Sequence, residues 1–136
     1  LLATLEAHGV PVWVDFGQRH WAEQATDWDG LAEVCAALPR LNIVLCSADM
    51  GGSHRLCALL SRFPNLHVET SYYTVHRGVE LLCTRFGAER VLFGTGMPMR
   101  AAGPALTGLA YAGLDEEARA LVSGGNLQRL LRRAWR

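Results

Sequence analysis

The sequence has no run of 18 apolar residues, the length a helix needs to cross a bilayer, and no basic-then-apolar signal segment. It holds no G-x-S-x-G nucleophile elbow, no Walker loop and no G-x-G-x-x-G, so the familiar nucleophile and phosphate signatures are missing. An excess of either charge is lacking too: 13 Lys and Arg face 13 Asp and Glu. That balance excludes the one-sided positive field of a nucleic-acid binder. The one basic group, Arg129, Arg132, Arg133 and Arg136, lies at the terminus with helical spacing and reads as a solvated face. Paired cysteines are absent as well. Cys35, Cys46, Cys57 and Cys83 form no C-x-x-C and sit beside apolar neighbours, which fits buried free thiols in a reducing cytoplasm. No nucleic-acid or membrane partner is therefore expected.

What is present is enough apolar material for a core: 50% of 136 residues are hydrophobic and 19% charged, the size and balance of one domain. Four short apolar runs recur, Val10–Val14, Leu41–Cys46, Leu66–Thr70 and Val91–Phe93, each bounded by Gly, Pro, Asn or Asp. Most are continuously apolar rather than alternating, the pattern of strands buried on both faces of a helix-covered parallel sheet. Between them run helical patterns. Trp28, Leu31, Ala32, Cys35 and Leu38 keep helical spacing before Pro39, with Asp27 or Asp29 placed to cap. Leu56, Leu59, Leu60 and Phe63 follow Ser53. His76, Val79, Leu82, Cys83 and Phe86 form a third stripe ended by Gly87. A helix is expected from Pro104 to Ala112, another after Asp115, and a last one after Gly124-Gly125-Asn126 with Leu127, Leu130 and Leu131 on one face.

The second, third and fourth runs are spaced about 25 residues apart, which suits right-handed β-α-β units. The expectation is one α/β unit of four parallel β/α repeats plus C-terminal helices. Four repeats are half of an eightfold β/α barrel, or a small open doubly wound sheet. The chain opens on Leu1-Leu2-Ala3 as if already in a helix, and reads as a piece of a longer protein.

The segment Arg90-Val-Leu-Phe-Gly-Thr-Gly-Met-Pro98 resembles the last barrel-strand motif of the amidohydrolase-2 family of metal-dependent hydrolases and decarboxylases. Gly9–Val14 resembles that family's fifth strand, and Arg40–Cys46 followed by Gly51-Gly52 resembles its sixth. Phe63–Ser71 is similar to the seventh strand, with its Pro-Asn entry, and Arg85–Gly94 to the approach to the eighth. Gly125-Asn-Leu-Gln-Arg-Leu-Leu131 resembles the closing helix. The resemblance implies residues 1–136 as the C-terminal half of a TIM-type (β/α)8 barrel, with the other half missing or supplied by a second copy. It also implies hydrolysis or decarboxylation of a small organic substrate at the C-terminal ends of the strands.

The metal site that the resemblance implies is not retained. The family's two histidines and one aspartate fall on Asp15, on Ser47 or Asp49, and on Gly96. Three readings follow. One is a rebuilt site for a hard divalent cation, using Asp15 and Asp49 with His20 or His54. A second is metal-free acid–base chemistry by Asp15, Asp49 and His20, with Gln18, His54, Glu69, Ser71 and Met97 around the substrate. The third is a non-catalytic barrel scaffold, a pseudoenzyme acting by binding. Against the first two, Asp15 and Asp49 also suit the capping of the segments that follow their strands. Glu69, a carboxylate in an apolar run, needs a partner, for which Arg55, Arg62 and Arg77 are the choices. Tyr72 and Tyr73 either line a pocket or pack. Met97 and Met99 read as core or pocket wall, Cys46 as a packed thiol, and Trp21 and Trp28 as one helical face.

Overall fold

A computed structural model describes residues 1–17 and 27–134. Helix α1 (Leu2–Ala7) leads into strand β1 (Val12–Asp15), then α2 (Trp28–Ala37), β2 (Ile43–Cys46), α3 (Ser53–Arg62), β3 (Leu66–Glu69) and α4 (Gly78–Phe86). A 3₁₀ turn, Ala88–Arg90, precedes β4 (Val91–Leu92). After it come α5 (Gly103–Tyr111), α6 (Glu116–Ala120), a π turn (Leu121–Gly125) and α7 (Asn126–Ala134). The four strands are all parallel, in the order β1-β2-β3-β4. This is an arc of four β/α units, as the spacing of the apolar runs predicts.

Local chemistry fixes the element ends. Asp27 caps α2 by accepting from the Gly30 N–H at 2.7 Å, and Asp115 caps α6 by accepting from Ala118 N–H at 2.7 Å. Helix α4 ends at Gly87, whose φ of 93° lies in the positive region that favours glycine. Its start is later than the apolar stripe suggests. Arg77 adopts φ 51°, so the helix opens at Gly78 and His76 lies outside it. Strand β1 likewise begins at Val12 rather than Val10. Val10 donates to Leu5 O at 2.9 Å, closing the turn after α1, and Pro11 has no N–H to give to a ladder. Strand β4 is short because the Phe93 N–H leaves the sheet for Val122 O at 3.0 Å.

The sheet has two unlike faces, as strand alternation demands. Val14, Leu45, Val68 and Val91 point to the helices and join Leu31, Leu56, Leu60 and Leu82 in the main core. On the opposite face, the barrel interior of a closed fold, stand Trp13, Asp15, Val44, Cys46, His67, Glu69 and Leu92. Leu130 of α7 packs on Val44 and Leu92 there. It is the one residue of its expected stripe that is buried, since Leu127 and Leu131 remain 41% and 40% exposed.

Three polar side chains lock the strand entrances. Asn65 donates from Nδ2 to Cys35 O, Leu38 O and Leu41 O at 3.2, 3.0 and 3.1 Å. The Arg90 guanidinium donates to Leu60 O, Phe63 O and Leu66 O at 2.9, 2.6 and 2.9 Å. Asn126 donates to Ala88 O and Val91 O at 2.7 and 2.8 Å. Each adds donors to backbone carbonyls at the turns into the strands, where Leu38 O and Phe63 O also accept from Leu41 N–H and Leu66 N–H.

Candidate functional site

At the C-terminal edge of the sheet, Asp15, Cys46, Glu69 and Leu92 stand side by side on the interior face. Asp15 Oδ1 accepts from the Gly17 N–H at 2.8 Å, a turn that closes on itself. A methyl group on Gly17 would lie 2.6 Å from Ser47 Cβ and 3.1 Å from Asp15 Oδ1, so the first two strand ends are brought together. Between the carboxylates sits Cys46, whose thiol is pushed up to about 12 by burial, with the charges of Glu69 and Asp15 adding to it. A protonated, poorly nucleophilic thiol is the result. Asp15 and Glu69 are two strands apart, about 10 Å at the backbone, too far to share a proton directly.

Among the described residues no arginine holds Glu69. Its Oε1 accepts from the Ser71 N–H at 2.8 Å and its Oε2 from Ser71 Oγ at 2.6 Å. The arginines expected for it are otherwise placed: Arg77 pairs with Glu80, with Nε to Oε2 at 2.9 Å, Arg62 stacks over Phe63 at 5.0 Å, and Arg55 is exposed on α3. The short span from Glu69 to Ser71 makes the local bond cheaper in chain entropy than a long side chain reaching in. The carboxylate also needs Gly94 opposite, because a Cβ there would fall 1.3 Å from Glu69 Oε1.

The three family metal positions do not form that metal's site. Ser47 ends its strand at φ 58°. Asp49 Oδ1 accepts from the Gly52 N–H at 2.9 Å, closing the turn that leads into α3 rather than capping the helix as the sequence suggests. Ser53 is instead the first residue of that helix and shares a 2.7 Å hydrogen bond with Tyr73 Oη. Gly96 carries no donor atom and adopts φ 73°. Among the described residues no three His, Cys, Asp or Glu side chains converge as a metal site. The residues present therefore do not fit the family's His/His/Asp centre. His54 is exposed on α3, and Gln18, His20 and Trp21 lie outside the described residues.

Beside this row opens a cleft of about 630 Å³ between the β3–α4 loop and α5. Thr70, Ser71 and Thr95 bring hydroxyls to it, while Val79, Pro104 and Tyr111 are among its apolar wall. Its two cations are unlike each other. Arg77 is engaged by Glu80, whereas the Arg100 guanidinium lies 4.0 Å above the Tyr72 ring. Tyr73 is 6% exposed and packs into the core. Met97 and Met99 are 65% and 68% exposed, flanking a cis Met97–Pro98 bond, so neither is core. Sequence reasoning missed Arg100 and Thr95. The available signal was a cation two residues past Pro98 with no acidic residue near it in sequence.

Known proteins agree with this architecture. An uncharacterised TIM-barrel protein from Bordetella bronchiseptica superposes with a TM-score of 0.79 at 23% identity, covering 99% of this chain and 50% of its own. A 2,6-dihydroxybenzoate decarboxylase bound to 2,6-dihydroxybenzoate gives 0.68 at 18% identity, covering 96% and 53%. A 5-carboxyvanillate decarboxylase from Sphingomonas paucimobilis gives 0.68 at 19%, covering 96% and 52%. At these identities the likeness shows the fold, and the chain spans about half the length of the structures it matches. No curated protein matches the chain. Among the described residues no helix is long and apolar enough to cross a membrane. The amidohydrolase family profile matches residues 1–133, nearly the whole chain, and the chain belongs to that family.

Proposed function

We propose that this chain is the C-terminal half of an amidohydrolase-type barrel domain. It binds a small organic substrate in the cleft at the ends of β3 and β4 and acts on it by decarboxylation or hydrolysis without the family's metal centre. The observation that carries the reading is the cleft itself, set where β/α barrels keep their reacting groups and lined by converging hydroxyls and a cation. Decarboxylation is the stronger of the two chemistries, because two of the similar structures are decarboxylases of hydroxylated aromatic acids. Acid–base roles are assigned to Asp15 and Asp49, with His20 as a further candidate, while Gln18 and Glu69, the latter held by Ser71, are substrate-side candidates. His54 and Met97 are the outer substrate candidates. The four free cysteines support a reducing, cytoplasmic setting. The remaining four β/α units, from the same polypeptide or a second copy, would cover the interior face and the free edges of β1 and β4.

A second reading is a non-catalytic scaffold. It is favoured by the hydrogen bonds that Asp15 and Asp49 accept from the Gly17 and Gly52 N–H groups, local turn bonds that give both carboxylates a structural role. Carbon dioxide release from 2,6-dihydroxybenzoate and 5-carboxyvanillate, measured on the complete protein with and without chelator, separates the two. Turnover that survives chelation and falls in Asp15→Ala and Asp49→Ala supports catalysis without the metal. Absence of turnover with any such acid, or turnover unchanged in both variants, leaves the scaffold.

A further inference from the structure

We propose that Arg100 is the anion anchor of the cleft, its guanidinium holding the carboxylate of a small aromatic acid over the turn where the family carries a metal-binding aspartate. This rests on the reading of the cleft as the substrate site. The first observation is steric. A Cβ on Gly96 would stand 3.5 Å from Arg100 Cβ, Arg100 Cδ and Ser71 Cβ. An aspartate there would project its carboxylate into the space beside the Arg100 stem, whereas glycine leaves that space open. The backbone ties the two residues as well, since the Arg100 N–H donates to Gly96 O at 2.9 Å.

The second observation is electrostatic. Among the described residues Arg100 has no carboxylate partner, while Arg77 is paired with Glu80 and Arg40 with Glu6. Its contact is the Tyr72 ring, 4.0 Å from Cζ. Stacking on a ring holds the guanidinium plane but uses none of its N–H groups, so the forked edge stays open for a two-pronged bond to a carboxylate. The third observation is shape. Pro104, Val79 and Tyr111 give the cleft an apolar side that suits an aromatic body, with Ser71 and Thr95 beside the charged end for ring hydroxyls. A glycine at the family's aspartate position and a cation without a carboxylate partner thus share one turn. A positive charge still faces the substrate, carried by a side chain.

The test uses the full chain, titrated with benzoate and with its neutral counterpart benzamide while backbone amide resonances of Thr70, Ser71 and Thr95 are followed. Benzoate is expected to bind ~10-fold or more tighter than benzamide, as a charge-assisted pair predicts. Arg100→Gln should bring benzoate to the benzamide level and leave benzamide unchanged, and Arg100→Lys should recover part of the loss. Equal binding of both ligands in the cleft, unaltered by Arg100→Gln, would overturn the anchor and leave the cleft reading standing. If neither ligand moves the three resonances, the cleft reading fails and the anchor with it.

Discussion

Gly94→Ala offers a stability test of the strand-end geometry that can be worked from distances. The new Cβ would lie 1.3 Å from Glu69 Oε1 and 2.4 Å from its Cδ, so the carboxylate must leave its place. Leaving it breaks the bonds from Ser71 N–H at 2.8 Å and from Ser71 Oγ at 2.6 Å. Hydrogen bonds to a charged group are worth about 1.5–3 kcal/mol each, and both are discounted here because Glu69 is half-buried and can turn to water. A net cost of about 2 kcal/mol follows. With an unfolding entropy near 2.1 cal/mol/K per residue, that lowers Tm by about 7 °C. Urea melts of the wild type, Gly94→Ala, Glu69→Ala and the double variant isolate the clash. In the Glu69→Ala background the glycine change should cost under about 0.5 kcal/mol, since the colliding group is gone, leaving a coupling of about 2 kcal/mol. Additive single effects would refute the packing of Glu69 under Gly94.

Burial raises Cys35, Cys83 and Cys46 from 9.0 to about 11, about 11 and about 12. The folded state therefore holds these protons longer than the unfolded chain does. Their contribution is intact below pH 9 and declines as pH rises towards 12, so urea midpoints should fall across that window and fall less in Cys46→Ala. A midpoint flat from pH 9 upward would contradict it. Asn65→Ala removes the Nδ2 bonds to Cys35 O, Leu38 O and Leu41 O and should cost about 1–3 kcal/mol by thermal melts, with an effect below about 0.5 kcal/mol arguing against the tie. Gly96→Asp restores the family's acidic residue at φ 73°, which aspartate tolerates at a cost of about 1 kcal/mol. It should still take up no Mn²⁺ in a calorimetric titration, because Asp15 and Ser47 or Asp49 remain in place of the two histidines. Stoichiometric uptake would show that one residue had disabled the site.

The architecture was legible because its signals are local and repeated. Four apolar runs, Gly87 after α4 and Pro39 after α2 each mark an end of an element, and about 25 residues between runs leaves room for one helix. The motif residues that carried the resemblance turn out to be structural. Asn65, Arg90 and Asn126 all spend their donors on backbone carbonyls, so they report the fold and say little about chemistry. The site was less legible, for physical reasons. Asp15 and Asp49 close local turns that spacing alone cannot tell from ligation, and the partner of Glu69 is two residues away rather than one of the distant arginines. Arg100 acquires meaning only when the turn at Gly96 folds it onto Tyr72, a tertiary contact that no periodicity announces.

The most direct test of a strand-end site that works without the family metal is metal analysis joined to ligand binding. The complete protein, produced with zinc and manganese in excess and then dialysed, should retain substoichiometric metal, and its benzoate affinity should be unchanged by chelator. One equivalent of metal held through dialysis, with benzoate binding lost on its removal, would contradict the recast site.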